Sequence, residues 1–376
     1  MTEHLERVTA ILQSFELTPM MWSDMYFRLG SKTGDYYDLA AEVPENIIKQ
    51  IPESMSLVYW DYYHSNMADY DVLMKKHNKL KKPVIFAGGA WTFNGIAPNY
   101  AKSFENTQAA LKAAETNQLE EILCTIWLDD GAETPLETAW PVLHMFAEHT
   151  MPLEGHCFSL EQQFNRLSVN SWQDMLLLDA FDRVPGVDSA NQSSSSPSKF
   201  LLWQDVFIGL YDKHTEHLHL GQHYHSLHQQ LERIQPKNEL LSFYEQLAHV
   251  LSLKADLGKA ICRAYRAEHY AEMAQLIAQC AACKQHFYTL RDRHRTIWLQ
   301  TNKSFGWEVL EIRYGALLAR FDTVIYQLEQ WLADGTPIDI LEEDKLPVVT
   351  PEQLTSGNLG RNLFQHIISP SKLSDV

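Results

Sequence analysis

The sequence is poor in positive charge, in long apolar runs and in paired cysteines, and each shortage closes a class of function. Lys and Arg total 31 against 48 Asp and Glu, giving a formal net charge of −17 over 376 residues. A chain of that sign is repelled by phosphate backbones and anionic headgroups, which excludes nucleic acid and membrane surfaces as main partners. The nearest approach to a cationic strip, Arg291-Asp292-Arg293-His294-Arg295, carries an acid inside it and reads as a solvated helix face. No stretch of about 18 apolar residues is present to span a bilayer. The opening MTEHLERVTAILQSF has no basic start followed by an apolar core, so it does not read as a signal peptide. The five cysteines, Cys124, Cys157, Cys262, Cys280 and Cys283, are odd in number and widely spaced, unlike a disulfide framework. A cytoplasmic location is expected. Cys280-x-x-Cys283 has no second pair at zinc-ribbon distance and falls in the helical run AEMAQLIAQCAACKQHF, where helix packing explains it.

What remains is a globular composition, 45% hydrophobic and 21% charged, with two patterns along it. Over residues 1–150, short apolar runs alternate with amphipathic stretches. The runs are Pro19–Trp22, Leu57–Trp60, Val84–Ala87 and Ile122–Trp127, and the amphipathic stretches cover 4–16, 66–81, 101–118 and 135–149. Continuous apolar runs of this length suit strands of a parallel sheet buried on both faces, and the alternation reads as βα units. From residue 151 onward Leu, Gln, His and Ala dominate, with spacings of three and four that predict long amphipathic helices; Gly335-Thr336-Pro337 ends one of them. The stretch SANQSSSSPS, residues 189–198, reads as a solvated loop.

Each strand run ends in aromatic and acidic residues: WSDMYF, WDYYHSN, GGAWTFNG and WLDDGAE. Functional groups gathered at the C-terminal ends of parallel strands are the arrangement of a (β/α)8 barrel, but only four such units are present where closure needs eight. The fold class expected is therefore α/β followed by all-α. About four βα units form the second half of a TIM (β/α)8 barrel over 1–150, and an α-helical C-terminal domain covers 151–376. Sugars present hydroxyls to carboxylates and amides, and C–H faces to aromatic rings. The strand ends supply both, with rings from Trp22, Tyr59, Trp60, Tyr62, Tyr63, Trp91 and Trp127 and polar groups from Asp24, Asp61, Asn94, Asp129, Asp130 and Glu133. The histidines from His214 to His228 lack an HExxH pattern, and Gly221 interrupts any single helical face, so a polar helix or loop is expected there and no metal or cofactor.

The strings PMMWSDMYFRL, LVYWDYYH, VIFAGGAWTFNGIAPN and CTIWLDDGAE, in this order, resemble the second half of the catalytic barrel of family 20 glycoside hydrolases. The likeness is to bacterial β-N-acetylhexosaminidases with a C-terminal helical domain, and it continues through Leu202-Trp203-Gln204-Asp205 and Asn302-Lys303-Ser304-Phe305-Gly306-Trp307. The resemblance implies hydrolysis of terminal β-linked N-acetylhexosamine, with the substrate's own 2-acetamido oxygen as nucleophile. By the same resemblance Tyr59 is the first choice for the phenol that stabilises the oxazolinium-like intermediate, with Tyr62 or Tyr63 in reserve. Asp61 completes the Tyr-x-Asp of a late strand. Trp22 and Trp91 resemble walls of the acetamido box, and Trp127 with Asp129 the Trp-x-acid of the last strand. The family more often has Glu at that acid position, which leaves Asp129, Asp130 and Glu133 as alternatives. The departure is as informative: no Asp-Glu dipeptide occurs in the 376 residues, whereas the family uses such a pair to orient the acetamido group and protonate the leaving oxygen. Losing a general acid costs about 10²–10⁴-fold. The chain is thus expected to be inactive alone, and to bind N-acetylhexosamine-containing glycans either beside a missing N-terminal barrel half or as a homodimer. A non-catalytic carbohydrate-binding or interaction protein derived from the family is the alternative.

Overall fold

The computed structural model describes residues 2–129, 131–151 and 159–347. The protein is mostly helical, with one four-stranded sheet in the order β1 (Met20–Trp22), β2 (Ser56–Trp60), β3 (Val84–Gly89) and β4 (Glu121–Thr125). All three pairings are parallel: Met20 lies opposite Ser56, Leu57 opposite Val84, and Ile85 opposite Glu121. These strands fall on the four apolar runs of the sequence. Parallel neighbours need a crossover, and helices Met67–Asn78 and Tyr100–Thr116 supply those after β2 and β3.

Two compact units are present. One comprises Met1–Ala90, Lys102–Trp127 and Val142–Leu160; the other comprises Trp91–Ala101, Leu128–Pro141 and the chain from Glu161 onward. In the first, the sheet is sealed on one face. Leu57 joins Tyr26, Phe27, Ile51, Met55 and Leu80, while Tyr59 and Phe86 join Tyr70, Leu73, Met74 and the alanines 110, 113 and 114. Burying each large apolar side chain in this way contributes about 1.5–3 kcal/mol. The small alanine face of helix Tyr100–Thr116 lets it lie close to the strands. The opposite face carries Val58, Ile85, Ala87 and Trp60.

The second unit is built on long helices, chiefly Leu220–Glu232, Glu239–Lys254, Tyr270–Thr301 and Trp307–Asp334. Gly335, at φ 75°, ends the last of them, its N–H donating to the carbonyl of Trp331, in the left-handed conformation glycine adopts most cheaply. Trp203 is fully buried edge-on to Tyr314, and Asp205 accepts from the N–H groups of Phe207 and Ile208 and pairs with Arg320. Cys280 and Cys283 are buried on one helix, and burial pushes both thiols up to about 12. Cys157 lies outside the described residues. Two expectations need correction. Within the presumed solvated face Arg291–Arg295, His294 is buried. The serine stretch is not a solvated loop: Asn191, Ser194, Ser195, Ser196 and Ser198 are all buried. Serines are small enough to pack tightly, and here the backbone's polar groups find internal partners. Asn191 accepts from the Ser195 N–H at 2.8 Å and donates to the Ser195 carbonyl at 2.9 Å, while Asn99 donates to the Asn191 carbonyl at 3.0 Å.

Replacing Asn191 by Ala removes its two side-chain hydrogen bonds to the buried Ser195 backbone, at a φ of 44° that Asn tolerates better than Ala. The expected loss is about 2–4 kcal/mol, read as a lower urea midpoint. An unchanged midpoint would mean the segment is solvated after all.

Candidate functional site

Period-two alternation decides what each residue at the end of β2 can reach. Leu57 and Tyr59 point to the helices; Val58 and Trp60 point the other way. The Tyr59 ring is fully buried, stacked on His77 at 4.5 Å and edge-on to Phe86 at 5.5 Å. Its hydroxyl donates to Asp61 at 2.8 Å, and burial, aided by the Asp61 charge, holds its pKa well above that of a free phenol. Behind it His77 donates from Nδ1 to the Leu73 carbonyl at 2.7 Å, which makes Nε2 the acceptor for the Ser23 hydroxyl, also at 2.7 Å. Tyr59 is therefore a core residue on the helix side, and the expectation that its phenol meets a sugar is corrected. Asp61 is 1% exposed and saturated. Oδ1 accepts from the N–H groups of Tyr63 and His64, and Oδ2 accepts from Tyr59 and pairs with His64 Nδ1 at 2.6 Å.

The ring-rich surface lies on the other side. Trp22, at the end of β1, and Trp127, just past β4, bring their ring centroids within 6.2 Å, although two strands separate β1 from β4. Both indoles are 38% exposed. Trp60 donates from its indole to Asp24 at 3.0 Å and packs against Tyr62 at 5.5 Å and Tyr63 at 6.1 Å. The Tyr62 and Tyr63 rings stand 5.0 Å apart; Tyr62 is buried and Tyr63 exposed, with the Lys102 ammonium 5.6 Å from the Tyr63 ring. Gly89 makes this approach possible. A Cβ there would come within 2.9 Å of the Tyr62 ring and 3.0 Å of the Thr125 hydroxyl, so only glycine lets the ring rest on β3. Trp22, Asp24, Trp60, Tyr62, Tyr63 and Trp127 thus share a unit, and all lie at C-terminal strand ends.

The remaining candidates belong to the helical unit. Trp91 is 2% exposed and packs on Phe93 at 4.5 Å. Asn94 donates to the Ser194 carbonyl. Asp129 is exposed in the turn before Gly131, and Asp130 lies outside the described residues. Glu133 is fully buried between two cations, paired with Arg313 and, at 3.2 Å, with Lys199. Its backbone carbonyl meets His294 Nε2 at 2.9 Å. A carboxylate held by two cations has little left to offer a sugar hydroxyl, so Glu133 is a structural ion pair, not a binding residue.

Two residues near the strand ends escaped the sequence reading, His64 and Lys102. His64 follows Tyr63 directly, and its polar neighbours in WDYYHSN were the available signal; nothing in the spacing of Lys102 points to Tyr63. Among the described residues no group of three or more His, Cys, Asp or Glu side chains is placed to hold a metal ion, and no helix is long and apolar enough to cross a membrane. In comparison with known proteins, residues 173–360 match the model of the family described as "Glycoside Hydrolase 20C C-terminal domain". A search of curated proteins gives no match.

Glu133→Ala removes the carboxylate buried between Lys199 and Arg313, and is expected to cost about 3–5 kcal/mol. A stable variant with weakened sugar binding would instead make Glu133 a ligand. A second expectation concerns acid. Burial pushes His77 and His294 down to about 4, below the usual 6.5. Between those values the unfolded chain binds the extra protons, so their contribution is complete above pH 6.5 and is lost as pH falls toward 4. Each residue accounts for roughly 2–3 kcal/mol between pH 7 and pH 4.5. His77→Gln should flatten part of that slope in urea titrations at the two pH values.

Proposed function

The chain belongs to glycoside hydrolase family 20, through the 20C C-terminal domain, and from that membership we propose that it is part of a β-N-acetylhexosaminidase. Residues 1–150 are read as the closing half of the catalytic barrel and 151–376 as the helical domain. The substrate is a terminal, non-reducing β-linked GlcNAc or GalNAc, and the reaction is the substrate-assisted, retaining hydrolysis of the family.

The observation that carries this reading is the pair of half-exposed indoles, Trp22 and Trp127, facing each other at 6.2 Å on the side of the sheet away from its helices. Indoles this exposed, on a sheet face that also shows Met20 and Leu123, call for cover. A pyranose ring stacked on them, and further strands closing the ring, would provide it. Asp24, which accepts the Trp60 indole N–H, would meet ligand hydroxyls in this reading. The phenol contact to the acetamido oxygen passes from Tyr59 to Tyr62 and Tyr63, because Tyr59 faces the helices. Hydrogen-bond donation at that point stabilises charge developing on the oxazolinium-like intermediate. Proton donation to the leaving oxygen is assigned to an Asp-Glu pair outside these 376 residues, delivered by strands that complete the barrel. Without them the chain binds but does not hydrolyse. The absence of any Asp-Glu dipeptide favours a second reading, in which the chain is a carbohydrate-binding protein that has left catalysis behind.

Co-expression with a barrel half carrying the Asp-Glu pair should raise nitrophenol release from an aryl β-N-acetylglucosaminide by about 10²-fold or more over either part alone. Trp127→Ala in the same complex should abolish the gain. Saturable N-acetylglucosamine binding in calorimetry, lost in Trp127→Ala, together with no gain on co-expression, would select the binding-protein reading. Neither binding nor gain would refute both.

A further inference from the structure

The loop that follows β2 holds a carboxylate–imidazole pair that the reaction above does not use. Asp61 is buried, and its four hydrogen bonds all come from within the loop and strand: the Tyr59 hydroxyl, the N–H groups of Tyr63 and His64, and the His64 imidazole. None is left for a ligand. His64, by contrast, is 27% exposed along its side chain, and its Nδ1 is committed to Asp61 at 2.6 Å. Its carbonyl accepts from the Tyr70 hydroxyl at 2.8 Å, and the Tyr70 ring stands edge-on to the imidazole at 5.9 Å, so both backbone and ring are held in place. A carboxylate on Nδ1 fixes the tautomer and turns Nε2 outward. This is an imidazole built to present one nitrogen, one residue beyond Tyr63, at the end of the strand where the ring cluster lies.

We propose that His64, positioned by Asp61, is a further residue of this loop that contacts the amino sugar, beside Tyr62 and Tyr63, through a hydrogen bond from Nε2 to a ring hydroxyl. The inference rests on the reading of the strand ends as an N-acetylhexosamine site and names a contact within it. Asp61, read from sequence as a sugar ligand, becomes the positioning residue. The charged groups facing the imidazole are Asp61 at the end of β2 and Asp69 on helix Met67–Asn78, both acidic. The Asp61 hydrogen bond is the main cause that raises the His64 pKa above its usual 6.5 against the opposing effect of burial. Protonated His64 donates a charge-assisted bond from Nε2; neutral His64 can only accept one there. Affinity should therefore be highest at acid pH and fall as pH rises through the raised pKa.

The test is N-acetylglucosamine titrated into the full chain, followed by tryptophan fluorescence from pH 5.5 to 9. The wild type should bind about fivefold more tightly at the acid end, the ratio expected between a charged and a neutral hydrogen bond. His64→Gln should bind with the weaker affinity at every pH. Asp61→Asn, checked for folding by circular dichroism, should move the midpoint toward lower pH. Binding by His64→Gln with the wild-type profile would overturn the proposal and leave the sugar site standing. Absence of saturable binding by the wild type would overturn both.

Discussion

Everything proposed for this molecule depends on which face of a short parallel sheet each side chain occupies. Four strands pair in sequence order, and one face is sealed by helices through Leu57, Tyr59 and Phe86. The pleat then forces Val58, Trp60, Ile85 and Ala87 to the other face. Once that sorting is fixed, the chemistry at the strand ends follows. Val58, Ile85 and Ala87 on that second face are buried, while Trp22, Trp127 and Tyr63 at the strand ends keep an exposed surface. Polar groups on the helix side must be paired within the protein, because buried charge without partners is too costly. Tyr59 and Trp60, adjacent in sequence, end with opposite fates for this reason alone.

The edge strands of the sheet have a further consequence. β1 and β4 each have one sheet neighbour among the described residues, and their free edges belong to strands running in the same direction. Parallel sheets are ordinarily covered on both faces, since their strands are apolar throughout. Met20 at 55% exposure and Leu123 at 39% are out of keeping with that rule, and Ile11 and Phe15 on the first helix are exposed as well. Additional parallel strands would resolve edge and face together.

The strands, the crossover helices and the long helices were legible in the sequence because each rests on a local periodicity that burial enforces. The glycine stop at Gly335 was equally plain. What the sequence could not reveal was the direction of a shared face. Strict alternation would put Tyr59, Asp61 and Tyr63 on one side. Asp61 does meet the Tyr59 hydroxyl, but the chain leaves the strand after Trp60 and Tyr63 packs with Trp60 and Tyr62 instead. Nor does composition say whether a side meets helices or a ligand, since both demand aromatic residues. The buried serines failed for a different reason. Serine and asparagine are turn and loop formers on average, and their burial depends on hydrogen bonds to Asn94 and Asn99, about a hundred residues away.

Three acidic residues at the strand ends make the same point about chemistry. Asp61, Glu133 and Asp24 would look interchangeable in a search for sugar ligands, being carboxylates beside aromatic residues. Asp61 is spent on four donors of its own strand and loop. Glu133 is spent on two buried cations. Asp24 accepts one indole N–H on Oδ1. A carboxylate's availability is thus set by how many donors the fold has already given it, not by its position in a motif. By that measure Asp61 and Glu133 are taken up by the fold, and Asp24 is the one of the three that the proposed sugar contact draws on.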